Sequence, residues 1–159
     1  MAKVYLLTGR IASGKTAWAE RLAGKHNAVL LSCDELMLSL FDECLGPRHA
    51  ETERRCLQYL CGIAADTALC GTDAVLDSGL STGSARAAAR GYLAQRGVET
   101  VTVYFRLPEA LRAQRLEERN ARLANSPKRE YIIDKALCAR LDAEYEEPGE
   151  GEYDLMIGE

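Results

Sequence analysis

The chain has 159 residues, 47% of them hydrophobic and 28% charged, enough apolar material to build a core without disulfide or metal staples. Aromatic residues at 6% with this charge content exclude a disordered chain, and no apolar run approaches the roughly 18 residues of a membrane span. Twenty basic against twenty-four acidic side chains leave a net charge of −4, which argues against a partner as anionic as a long nucleic acid.

In chain order the hydrophobic pattern alternates between strand and helix periods, which predicts an α/β layered fold. Residues 3–8 (KVYLLT) read as a buried parallel strand running into Gly9. A helix is expected from Gly14 to Ala23, closed by Gly24, then a second strand over 28–32 (AVLLS). Residues 34–41 read as a short helix with Asp34 as its candidate cap, and 48–70 as a longer helix after the Gly46-Pro47 turn. A third strand covers 72–77 (TDAVLD), followed by a helix capped by Ser81 or Thr82 and reaching Gln95. A fourth strand is expected at 99–106 (ETVTVYFR) and a helix from Pro108 to Arg122. After a break at 124–128 come a helix over 131–145, an acidic loop at 146–151 and a short last strand at 154–157. With no repeat and no low-complexity linker, residues 1–159 are expected to form one domain. The N-terminus turns polar after about five apolar positions, too few for a signal-peptide core, so a cytoplasmic protein is expected.

Gly9-Arg10-Ile11-Ala12-Ser13-Gly14-Lys15-Thr16 fits G-x-x-x-x-G-K-[ST], between a predicted strand and a predicted helix. Gly9 and Gly14 let the backbone turn sharply and approach an anion, so the amides from Ala12 through Thr16 can face a phosphate. Ser13 is a candidate donor through its amide, Lys15 a candidate to neutralise β- and γ-phosphate oxygens, and Thr16 a ligand for Mg²⁺. The Arg10 side chain is expected to face solvent.

Two carboxylates, Asp34 and Asp77, end the second and third strands, where ligand sites open in this fold class. Asp34 suits a base that orients an acceptor hydroxyl and takes its proton, and Asp77 suits an acid that holds Mg²⁺ or fixes the acceptor. Arg112, Arg115, Arg119 and Arg122 recur at helical spacing. Arg119 and Arg122, next to the 124–128 break, are the candidates for a lid that closes over phosphates, whereas Arg112 reads as an ion-paired surface residue. Arg86 is a candidate acceptor contact. Fifteen of the twenty basic residues are Arg, and residues 141–159 hold eight acids and no base. The six cysteines form no CxxC pair and none is spaced with His26 or His49 as a zinc site, so they read as inert apolar residues. Trp18, His26 and His49 are assigned structural roles.

Three stretches, GRIASGKTAWAERLA, LLSCDELMLSLF and LPEALRAQRLEERNARL, carry a resemblance that spans nearly the whole chain. The chain resembles the small P-loop kinases, most of all the polynucleotide-kinase-like branch of AAA-domain kinases, which is similar to zeta toxins and chloramphenicol phosphotransferase. The resemblance implies a P-loop NTPase sandwich of three layers, α/β/α, with a five-stranded parallel sheet ordered 2-3-1-4-5 and a helical lid. It also implies ATP and Mg²⁺ as cosubstrates and transfer of the γ-phosphoryl group to a hydroxyl. By the same resemblance Lys15 and Thr16 hold the nucleotide, Asp34 is the acceptor base and Arg119 is the lid cation. One position departs from the branch, since Met37 stands where polynucleotide kinases carry an acceptor-binding Arg. The expected acceptor is therefore a small-molecule or nucleoside-like alcohol. The alternatives are a polynucleotide 5′-hydroxyl kinase and an ATP-dependent switch with no small acceptor. The helix at 48–70 is long for a minimal kinase and reads as an acceptor-specific insert.

Overall fold

Successive residues of a strand point to opposite faces, so a run that is apolar at every position needs cover on both sides. The computed structural model describes residues 1–42, 44–127 and 130–158. In it Lys3–Gly9 forms β1, and Val4, Leu6, Leu7 and Thr8 are wholly buried. Around β1 assemble β2 (Val29–Ser32), β3 (Ala74–Asp77), β4 (Glu99–Arg106) and β5 (Leu155–Gly158). All pair in parallel, in the expected order β2-β3-β1-β4-β5. Leu6 lies opposite Leu76 on one side and Thr102 on the other.

One face is covered by α1 (Lys15–His26), where Trp18, Ala19 and Leu22 pack on Leu7, Val75, Val103 and Phe105. The other is covered by α3 (His49–Leu69) and α4 (Gly83–Gln95) against Val4, Leu6, Ala74 and Leu76. Ala64, Ala65 and Ala68 of α3 carry small side chains, which lets that helix approach the strands closely. The remaining helices are α2 (Cys33–Leu40), α5 (Glu109–Leu123) and α6 (Lys135–Glu144). The result is the expected three-layer α/β/α sandwich. No helix among the described residues is long and apolar enough to cross a membrane.

Two boundaries differ from expectation by three residues or more. α1 runs through Gly24 to His26 and stops at Asn27, whose left-handed backbone (φ 53) lets its N–H close on Ala23 O. α6 begins only at Lys135, because Asp134 caps it by accepting from Leu137 N at 2.7 Å. Residues 130–134 instead lie extended along α5, where Arg119 donates to Tyr131 O (3.0 Å) and Asn120 to Ile133 O (2.8 Å). Part of the expected break at 124–128, namely Lys128, lies outside the described residues.

The acidic stretch after α6 forms a strap across the carboxyl ends of the strands. Tyr145 Oη meets Thr8 Oγ1 at 3.1 Å, and Glu146 receives hydrogen bonds from Gly83 N (2.7 Å) and from Arg86 Nη1 at its carbonyl (2.9 Å). Arg86 is 2% exposed and also donates to Leu80 O and pairs with Glu152. The strap then enters β5 through Asp154, which pairs with the backbone of Thr102. Replacing Arg86 with Met would break the Glu152 pair, take the donor from Glu146 O and leave Leu80 O with Thr8 Oγ1 alone, at about 1–3 kcal/mol in total. Urea denaturation of Arg86→Met is expected to show that loss as a lower midpoint with an unchanged m-value.

Candidate functional site

β1 ends where it presses on β4: a Cβ on Gly9 would lie 2.8 Å from both Phe105 O and Ser13 Oγ. Only glycine lets the loop leave the strand there. Two left-handed residues then close the turn, Ala12 at φ 58 and Gly14 at φ 94. Glycine adopts this region freely, but Ala12 bears a strain of about 1–2 kcal/mol. Lys15 opens α1 and reaches back over the loop, donating to Gly9 O (2.7 Å) and Arg10 O (2.9 Å) and standing 3.4 Å from Ser13 Oγ. Burial pushes the Lys15 ammonium down to about 8, against the opposing pull of Asp77 and Asp34. The Gly14 cap has no side-chain bond to the first turn of α1, so that turn's amides are free to face an anion.

The two strand-end carboxylates flank this loop. Thr16 Oγ1 donates to Asp77 Oδ2 at 2.8 Å, which joins the start of α1 to the end of β3. Asp34 sits in the first turn of α2, but the expected capping role belongs to Ser32, whose Oγ accepts from Glu35 N at 3.2 Å. Asp34 is thus released from capping. It is open to solvent on one side and crowded by protein on the others. That crowding raises its carboxyl above the usual range, Asp77 adds to the rise, and Arg119, Lys15 and His49 oppose it.

The arginine stripe of α5 divides. Arg112, expected at the surface, is 7% exposed and donates to Ile11 O of the loop (3.1 Å) while gripping both oxygens of Asp142 (3.1 and 2.8 Å). Arg115 reaches the loop too, with Nη1 3.3 Å from where a Cβ of Gly14 would be. Arg119 is turned toward the 130–131 backbone, bonded to Glu130 (3.3 Å) and Tyr131 O, and acts electrostatically on Asp34. Arg122 is exposed one turn beyond. Arg10, expected to face solvent, is pinned instead. It pairs with Glu147 (2.8 Å), donates to Asp142 O (2.9 Å) and stacks 5.1 Å above the Tyr145 ring. Arg86, expected at the acceptor, makes its bonds to the strap.

Three groups outside the sequence-derived set, His49, Glu53 and Tyr131, lie close enough to Asp34 to interact with it electrostatically. The His49 ring packs edge-on to Tyr131 at 5.7 Å, and its Nδ1 accepts from Leu45 N. Glu53 lies one turn along α3 from His49, and its backbone oxygen lies 3.7 Å from Cys33 Sγ, beside Asp34. Burial and the Asp34 charge raise the Glu53 carboxyl. The sequence marked the 48–70 helix as an acceptor-specific insert but singled out no residue on it near Asp34, and only helix phase, placing His49 and Glu53 four residues apart, could have drawn attention to them. Arg119 Nη1, Tyr131 Oη and Ser78 Oγ are buried without a hydrogen-bond partner among the described residues, and all three lie in segments that border the site. A cavity of about 310 Å³ opens between the carboxyl ends of β1 and β4, with Arg10, Arg106 and Arg112 in its wall. That is the switch point of this strand order, where neighbouring connections diverge.

Among the described residues no group of three or more His, Cys, Asp or Glu side chains is placed to hold a metal by itself. The Thr16–Asp77 oxygen pair nevertheless fits Mg²⁺, which usually takes one or two protein ligands and completes its shell with phosphates and water. The cysteines are free, and burial pushes the Cys33 thiol beside Asp34 up to about 12, which keeps it protonated.

A family model described as an AAA domain matches residues 4–143, and the chain belongs to that family. No curated protein matches the sequence. Among solved structures, the APS kinase CysC of Mycobacterium tuberculosis in complex with AMPPNP and APS is 24% identical, with a TM-score of 0.68 over 99% of this chain and 88% of that one. Kti12 of Chaetomium thermophilum in complex with ADP-AlF3 is 16% identical, with a TM-score of 0.74 over 98% and 87%. A gluconokinase of Sinorhizobium meliloti is 14% identical, with a TM-score of 0.65 over 98% and 82%. At these identities the likeness is one of fold, and the fold is that of P-loop kinases.

Replacing Gly14 with Ala forces a side chain into φ 94 against Arg115, at about 1–2 kcal/mol of stability. Binding of inorganic tripolyphosphate, followed by thermal shift, is expected to be lost in Gly14→Ala and kept in the exposed variant Gly24→Ala.

Proposed function

We propose that this AAA-domain chain acts as a single-domain, ATP- and Mg²⁺-dependent phosphotransferase that moves the γ-phosphoryl group of ATP to a hydroxyl of a small-molecule or nucleoside-like acceptor. The observation that carries the reading is the placement of Asp34. It lies across the strand ends from Lys15 and Asp77, has no capping duty, and no described residue hydrogen-bonds its carboxylate. A switch without an acceptor has no use for a base held in that way.

In this reading the amides of Ala12 through Thr16 and the Lys15 ammonium bind the phosphates, while Gly9 gives the loop its sharp exit. Thr16 and Asp77 would hold Mg²⁺, which supplies charge neutralisation at the phosphate oxygens when bound. Asp34 orients the acceptor O–H and takes its proton as the oxygen forms its bond to the γ-phosphorus. The bond from that phosphorus to the bridging oxygen breaks, and its electron pair leaves with ADP. A carboxylate raised by burial holds the transferred proton better than a solvated one. Arg119 serves as the lid cation, with its Nη1 still without a partner among the described residues, and Arg122 closes on the nucleotide from one turn further on. Arg115, whose guanidinium overlies Gly14, joins them. Arg86, assigned to the acceptor from sequence, contributes in this reading by holding the strap behind the site.

The acceptor side narrows the substrate. Asp34 and Glu53 make it acidic, and Met37, at the position of the polynucleotide-kinase arginine, is 1% exposed in the core under α3. Both features favour an uncharged or cationic alcohol over a phosphorylated end.

The test is label transfer from γ-labelled ATP with Mg²⁺ to a panel of nucleosides, sugars, amino sugars and 5′-hydroxyl oligonucleotides. One acceptor is expected to take label, Lys15→Ala to lose nucleotide binding, and Asp34→Asn to keep it while turnover falls by about 10²–10⁴-fold. Label released only as free phosphate, at equal rates in Asp34→Asn, would overturn the assignment of Asp34 and leave an ATPase.

A further inference from the structure

The loop that receives the phosphates contains a residue poorly suited to its conformation. Ala12 is left-handed at φ 58, a region that glycine enters freely and alanine does not. Such a residue stays in place only where its surroundings hold it. The peptide between Ile11 and Ala12 is trans, so its carbonyl and its N–H point in opposite directions. Arg112 Nη1 donates to that carbonyl, Ile11 O, at 3.1 Å from the side of α5. Holding the oxygen outward turns the Ala12 N–H the other way, toward the inside of the loop.

Arg112 does not choose this pose alone. Its guanidinium is 7% exposed, and Asp142 of α6 grips it with both carboxylate oxygens, at 3.1 and 2.8 Å. A forked pair of this kind fixes the plane as well as the position of the guanidinium. The backbone oxygen of Asp142 also receives Arg10 Nη1 at 2.9 Å, and Arg10 Nε is held by Glu147 at 2.8 Å. Two consecutive residues of the loop, Arg10 by its side chain and Ile11 by its carbonyl, are therefore tied to one residue of α6 that lies 131 or more positions away in sequence.

We infer that the Arg112–Asp142 ion pair is a positioning device for nucleotide binding: by holding Ile11 O it keeps the strained Ala12 in the conformation that presents its amide to a phosphate. Asp142 acts through Arg112 and touches no ligand. The inference rests on the reading of residues 9–16 as the nucleotide site, and it adds that α6 sets the affinity of that site.

The experiment measures the Kd for AMPPNP by calorimetry on the full chain, together with the urea midpoint, for four proteins: unaltered, Asp142→Asn, Ala12→Gly and the double variant. Glycine needs no external hold to be left-handed, so it should relieve the dependence on Asp142. Asp142→Asn is expected to raise Kd about tenfold in the alanine background, through a smaller binding-competent fraction, and less than about threefold in the glycine background. The fall in urea midpoint caused by Asp142→Asn should be no smaller in the glycine background, because glycine at residue 12 does nothing for the lost ion pair and the loop there has no strain to relax. Equal loss of affinity in the two backgrounds, or none in either, overturns the inference. Arg112→Lys, which keeps the charge and loses the fork, gives the same comparison if Asp142→Asn does not fold. Failure of the unaltered protein to bind AMPPNP would overturn the nucleotide reading itself, an outcome distinct from the others.

Discussion

A cation held inside a ring of backbone is the feature on which this molecule turns. Lys15 sits against the carbonyls of Gly9 and Arg10, so the loop must curve tightly around it. That curvature demands left-handed residues at two positions, and close packing against β4 demands glycine at a third. Backbone in such a state is not stable by itself. Much of the surrounding structure consists of groups that hold it: Thr16 tied to Asp77 at the end of β3, Arg112 at Ile11 O, and Arg10 anchored to Asp142 and Glu147.

The distribution of charge follows from that need. A basic stretch from 106 to 140 and an acidic one from 141 to 159 look in the sequence like two independent surfaces. In the fold they meet. Asp142, Glu147 and Glu152 face Arg10, Arg112 and Arg86, so the acids neutralise arginines that are partly or wholly withdrawn from water. Withdrawing an unpaired guanidinium would carry a large desolvation penalty, and pairing with hydrogen bonds to carbonyls offsets it. Arg115, Arg119 and Arg122 lie outside this acidic network, with Arg119 turned to Glu130 instead.

The surroundings of Asp34 are built on a different principle. Its groups, Asp34, His49, Glu53 and Tyr131, come from α2, α3 and the extended segment before α6. Polar atoms there have no hydrogen-bond partner among the described residues, as at Tyr131 Oη and Arg119 Nη1. Buried donors and acceptors without partners are costly unless a ligand supplies them. On the α5–α6 side of the loop Asp142 takes up the Arg112 guanidinium, whereas around Asp34 these two atoms have no partner among the described residues.

The strands and the glycine loop of residues 9–16 were legible because each rests on a local rule, whereas the strand order came from the resemblance to P-loop kinases. Apolar runs of four to eight residues make buried strands, and G-x-x-x-x-G-K-T answers a steric demand met by nearby residues. That Asp34 and Asp77 would lie near the loop was legible for a similar reason, since strand ends in such a sheet all open on one edge. Arg10, Arg86 and Arg112 were not, because a guanidinium reaches far along its stem and its partner is chosen by what folds against it. The acids that claim these arginines stand from 30 to 137 residues away. The capping of α2 by Ser32 rather than Asp34 turned on two residues of register, and it leaves the carboxylate without a capping role. The sequence by itself determined where a phosphate could be met, because the backbone geometry for that task is written in consecutive residues. Only the tertiary structure decided which charges serve the site and which hold the fold, because that depends on contacts between segments that local chemistry does not relate.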